Sequence, residues 1–174
     1  MKIFVFTEER VGLCDVRAFD SFMFLLQEIE KDIDICFFNQ GPASEELVTV
    51  CKRYQNGKFK RRVVNVLVGE ATKEKNITEF FKFNADITAC VEPPNDRRCW
   101  LDEHIIREIM NEDTFIVYVS DKTVGTLASA TRYAIKKKLP IIFLGKVETY
   151  ELLESAPVFQ DRFLDQSLIK KKQD

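Results

Sequence analysis

Two short apolar runs separated by a helix-length segment constrain this chain more than anything else in it. Residues 115–119, Phe-Ile-Val-Tyr-Val, lead into a polar loop of residues 120–124, Ser-Asp-Lys-Thr-Val, that ends at Gly125-Thr126. An amphipathic stretch follows, then Leu139-Pro140 and a second run, Ile-Ile-Phe-Leu, at 141–144. Two buried strands joined through a helix form a parallel pair, because a tight turn joins only antiparallel neighbours. Open parallel sheets bind ligands outside the carboxyl ends of their strands. Gly125-Thr126 is expected at such an end, where a helix begins and free backbone N–H groups suit an anion such as phosphate. Gly125 lets the backbone turn and approach a ligand closely. Thr126 offers a hydroxyl that serves either the ligand or the helix cap.

The rest of the chain repeats this alternation. Strands are expected at 2–6, 34–38, 62–68 and 86–91, the last closed by Pro93-Pro94. A helix is predicted over 15–31, since Phe19, Phe22, Met23, Leu26 and Ile29 recur at three- and four-residue steps. A second helix is predicted from an N-cap at Ser44 to about Tyr54, with Leu47, Val48 and Cys51 toward the sheet. Further helices are predicted over 76–83, over 97–111 with Trp100 and His104, and near 148–154. The alternation reads as an α/β fold with a mostly parallel central sheet flanked by helices. With no internal repeat or linker, residues 1–157 read as one domain and 158–174 as a polar tail.

Composition narrows the function classes. The net charge of −2 gives no support to nucleic-acid binding. No apolar run approaches the roughly 20 residues that span a bilayer, and the first residues read as a strand rather than a signal peptide, so a cytoplasmic location is expected. Five Cys without a C-x-x-C pair, and a single His, carry no zinc signature. The thiols read as reduced and either buried or incidental, and no metal is expected. The basic run at 58–62 reads as a solvated loop face and that at 170–172 as part of the tail.

A parallel sheet collects three loops at its carboxyl edge: 6–10, 38–47 and 120–126. Arg10 suits a phosphate, which its guanidinium pairs with two-pronged; beside Glu8 and Glu9 it is equally a surface charge. Asn39 and Gln40 carry amides suited to a base or ribose, next to Gly41, while Pro42 removes one backbone donor. Glu46, near a helix start, is the best catalytic candidate, as a ribose acceptor or general base; the helix dipole is a sufficient structural reason for it. Asp121 and Lys122 lie in the third loop, where charges are commonly solvated.

In this order and spacing the loops resemble the SLOG superfamily of Rossmann-like proteins, its YpsA-like branch above all. That branch opens with Phe-Thr-Gly-His-Arg or a variant, and Phe6, Thr7 and Arg10 match while Glu8 and Glu9 replace Gly-His. Gln40, Gly41, Glu46 and Leu47 fit its second loop, with Ser44 where a glycine is usual. Gly125-Thr126 and Lys137-Lys-Leu-Pro140 fit its third. Arg107-Glu-Ile-Met110 is a looser echo of a helix that precedes the fifth strand. The resemblance covers residues 1–145 and implies a three-layer Rossmann-like domain.

It further implies a small nucleotide or nucleotide-derived ligand held by Thr7, Arg10, Asn39, Gln40, Gly41, Ser44, Glu46, Ser120, Asp121, Gly125 and Thr126. No tightly held cofactor is implied, and homo-oligomerisation stays open. Phosphoribohydrolase relatives carry Pro-Gly-Gly-x-Gly-Thr and, three residues on, a Glu. Here Leu127, Ala128 and Ser129 follow Gly125-Thr126. Without that acid, recognition by a sensor is favoured over an enzyme acting at a nucleotide N-glycosidic bond, which needs a carboxylate near the ribose. A structural or interaction relative that binds no ligand is the third alternative.

Overall fold

The computed structural model describes residues 1–7, 10–37, 40–68, 77–91, 114–119, 138 and 140–144. Six strands form one sheet: β1 (Lys2–Thr7), β2 (Ile33–Phe37), β3 (Arg61–Val68), β4 (Ile87–Val91), β5 (Thr114–Val119) and β6 (Ile141–Leu144). Their order is β4-β3-β2-β1-β5-β6, and every pairing is parallel. The β-branched and aromatic runs of β1, β3 and β5 suit strands buried on both faces. The chain steps outward from β1 through β2 and β3 to β4, then returns to place β5 on the other side of β1.

One face of the sheet carries Ile3, Val5, Ile33, Ile35, Phe37, Val63, Val117, Val119, Ile142 and Leu144. They pack with α1 (Leu13–Leu25), through Phe19, Phe22 and Met23, and with α2 (Pro42–Lys52), through Leu47, Val48 and Cys51. Phe81 of α3 (Glu79–Asn84) joins the same core. On the opposite face Phe4, Phe6, Cys36, Val64, Val66 and Ile116 are buried as well, in a three-layer α/β arrangement.

The helices depart from the sequence expectation at their ends. The segment expected as one helix over 15–31 is α1, a 3-10 turn at Leu26–Glu28, and an extended Ile29 at φ −85° and ψ 115°. The reason lies across the fold. Arg61 Nη2 donates to the carbonyls of Leu26 and Ile29, both at 2.8 Å, and Nη1 to that of Lys31 at 2.6 Å. Carbonyls bound in this way no longer need a continuing helix. Ser44 is not the N-cap of α2. Gly41 is, followed by Pro42 at the first helical position, where a missing N–H costs nothing. The third helix begins later than expected, because Thr78 caps it through Oγ1, which accepts from Phe81 N–H at 3.4 Å.

The basic run at 58–62 is also corrected. Lys58 and Lys60 are exposed, but Arg61 is 2% exposed, and Arg62 pairs with Asp34 through Nε at 2.7 Å and Nη2 at 3.1 Å. The predicted helices over 97–111 and near 148–154, the helix after Thr126 and the tail lie outside the described residues.

Candidate functional site at the carboxyl edge

Because all six strands are parallel, their carboxyl ends share one edge. The strand order reverses between β1 and β5. In open parallel sheets such a reversal point is where a ligand crevice forms, above the ends of the two strands. Thr7 stands opposite Val119 there, as the last residues of the two paired strands. On the other side of β1 lies β2, with Val5 opposite Phe37. The three loops singled out in the sequence therefore leave three consecutive strands, β2, β1 and β5. With about 4.8 Å between strands, they span roughly 10 Å.

The described site residues divide by position. Thr7 is half-buried at the end of β1, and Arg10 is exposed in the loop after it. Gln40 accepts a hydrogen bond at Oε1 from Thr78 N–H, 2.8 Å, which ties the start of α2 to the start of α3. Gly41 has φ −75° and ψ 173°, extended backbone that any residue adopts, so no left-handed turn is made there. Ser44 is 1% exposed beneath the first turn of α2, and Glu46 is exposed on the second. Asn39, Ser120, Asp121, Gly125 and Thr126 lie outside the described residues.

Two helix starts meet this edge, and they differ. At the start of α1, the Asp15 carboxylate is 2% exposed and accepts the Gly12 N–H at 3.0 Å. This is half of a capping box, and it sets a negative charge where an anion would otherwise sit. At the start of α2, Gly41 has no side chain with which to cap the first-turn N–H groups. Of the two, the start of α2 is the better suited to an outside acceptor.

One residue escaped the sequence reading. Asn65 sits in the middle of β3, at 0% exposure. Neither its amide nitrogen nor its carbonyl oxygen has a hydrogen-bond partner among the described residues. The signal was present: one amide in the run Arg-Arg-Val-Val-Asn-Val-Leu-Val breaks an otherwise apolar strand, where Asn is disfavoured. Two of the thiols, Cys36 and Cys51, are buried, as expected of structural cysteines. Burial pushes Cys36 up to about 12, with Asp34 adding to the effect, and burial likewise raises Cys51. Cys14 and Cys90 are exposed, and Cys99 lies outside the described residues.

Among the described residues no helix is long and apolar enough to cross a membrane. No protein-family model matches the chain. No curated protein matches its sequence. Solved structures similar to it include that of the Moco carrier protein from Chlamydomonas reinhardtii, with a TM-score of 0.57 over 90% of this chain and 86% of that one. Identity is 16%, so what the two chains share is the fold, a Rossmann-like α/β arrangement around a parallel sheet.

Proposed function

We infer that the protein binds a nucleotide or nucleotide-derived ligand at the carboxyl edge of its sheet and acts as a sensor. The supporting observation is topological: the three loops that resemble those of SLOG proteins leave adjacent strands around the point where the strand order reverses. In this reading Gly125-Thr126 and Arg10 take the phosphate side, and the β2–α2 loop, with Asn39, Gln40, Gly41 and Ser44, takes the base or ribose. Thr7, Ser120 and Asp121 line the crevice. The same reading places the protein in the cytoplasm, as one domain over 1–157, and leaves homo-oligomerisation open.

Two other readings have specific support. The fold shared with a Moco carrier favours transport of Moco. Glu46 near the ligand edge favours hydrolysis or transfer at an N-glycosidic bond, but it is exposed and the acid expected after Gly125-Thr126 is missing.

Thermal unfolding with NAD, ADP-ribose, and linear and cyclic nucleotides separates the three. A ligand at 100 times its Kd stabilises the native state by about 2.7 kcal/mol, a rise in Tm of roughly 5–10 °C for a chain of this size. The sensor reading expects such a shift without turnover, and its loss in Gly125→Val. Release of free base would establish the enzyme instead. A shift with Moco and with none of the nucleotides would establish the carrier. No shift with any nucleotide overturns the sensor.

A further inference from the structure

Asn65 is the observation that the fold leaves unexplained. A buried amide with no partner forfeits the hydrogen bonds it would make in water, and such groups are rare in native proteins. Where a local rule is broken without visible compensation, a functional contact is a common reason. The position supports that reason. Asn65 pairs in register with Phe37, the last residue of β2, on one side and with Thr88 of β4 on the other. By strand alternation its side chain shares a face with Val63, in the core formed with α2 and Phe81. It therefore stands midway along β3 but level with the end of β2, on the face covered by α2, which starts without a side-chain cap and where Ser44 is buried.

We propose that Asn65 is a specificity-determining contact for the base edge of the ligand, reached between the first turn of α2 and β3. This rests on the nucleotide reading above and goes beyond it by naming what recognises the base. The chemistry of the amide decides the class of group it binds. Both its donor and its acceptor are unpartnered, so the complement must offer an acceptor and a donor side by side. The edges of a nucleobase, and those of cyclic amides and amidines generally, do so; adenine presents N6–H and N7 to Asn in this two-pronged way. A phosphate does not, because its oxygens would repel the amide oxygen. On the same side of the fold, the exposed Thr78 N–H to Gln40 Oε1 bond ties the starts of α2 and α3 together.

The experiment compares wild type with Asn65→Leu, of similar volume, and with the smaller Asn65→Val, using AMP and ribose 5-phosphate as probes. An amide that is idle without ligand costs stability, so both apolar variants are expected to keep or raise the ligand-free Tm, by up to about 6 °C. Affinity for AMP is expected to fall about 10- to 100-fold, the weight of one two-pronged base contact. Affinity for ribose 5-phosphate, which has no base, is expected to stay unchanged. A ligand-free Tm lowered in both variants overturns the proposal, because it assigns the amide a structural bond. Undiminished AMP affinity in the variants overturns it while leaving the nucleotide reading intact. Failure of wild type to bind AMP or any nucleotide of the thermal panel removes both.

Discussion

The two edges of the sheet are built to opposite rules. At the amino edge polar groups, from the buried Arg61 to the exposed Asp32 and Asp86, are bound to partners, with Arg61 Nε the exception among the described residues. Arg61 spans four carbonyls, those of Leu26, Ile29, Lys31 and Lys60. Asp86 takes the Val63 N–H at 2.7 Å, Gln55 at 2.7 Å and Lys52 at 3.3 Å. Asp32 takes the Lys60 N–H at 2.8 Å. Toward the carboxyl edge, α2 starts at a glycine that has no cap to offer, and Asn65, level with the end of β2, is buried without a partner among the described residues. Satisfied polar groups rigidify a structure, whereas idle ones cost stability unless something else completes them. The contrast fits anchoring of the helix ends and strand starts at the amino edge and the proposed recognition at the carboxyl edge, where open parallel sheets bind their ligands.

The largest test of the contrast removes its strongest anchor. Arg61→Met keeps much of the aliphatic stem but leaves several buried carbonyls without a donor, and it is expected to cost about 2–4 kcal/mol. Urea unfolding measures it, and a loss below about 1 kcal/mol would make the amino edge no more anchored than its opposite.

A second test uses pH. Burial pushes the Asp86 carboxyl up, but the bonds from Val63, Gln55 and Lys52 outweigh burial and hold it below its ordinary value. A carboxyl depressed in the folded state contributes stability above its unfolded value, about 3.9, and loses that contribution as pH falls through the folded value. Asp86→Asn is therefore expected to be less stable at pH 7 and to lose less on acidification below about pH 4. Parallel acid profiles for the two proteins would remove Asp86 from the amino-edge network.

The smallest effect sharpens the other side. Gly41→Asp places a cap on α2 in a conformation that any residue adopts. Its gain in stability is expected to be only a few tenths of a kcal/mol. Its carboxylate would at the same time occupy the helix start, as Asp15 does on α1, and weaken any anionic ligand there. Stabilisation with unchanged nucleotide affinity would show that the start of α2 takes no part in binding.

Much of this fold was legible in the sequence. β1, β5 and β6 follow from short apolar runs bounded by polar loops, because a strand buried on both faces tolerates little else. Helix ends were less legible. Ser44 has the chemistry of a cap, but Pro42 two residues earlier has the backbone geometry of a first helical residue, and geometry prevailed. The 3-10 turn after Leu25 had no local cause at all, since Arg61, which holds its carbonyls, is more than thirty residues away.

The sequence by itself determined the alternation of strands and helices, the parallel sense of the sheet and the loops that converge on its carboxyl edge. These follow from periodicity, connection length and turn chemistry, all of which act over a few residues. Only the tertiary structure decided that β5 lies against β1, which creates the point where the strand order reverses, because strand order is set by which buried surfaces fit together across the whole chain. It likewise decided that Arg61, in a run of basic residues that reads as solvated, is the buried anchor of the amino edge, and that Asn65 is buried in the core without a partner among the described residues. Burial is a property of what packs above a residue, and for both of these the covering groups come from distant parts of the chain.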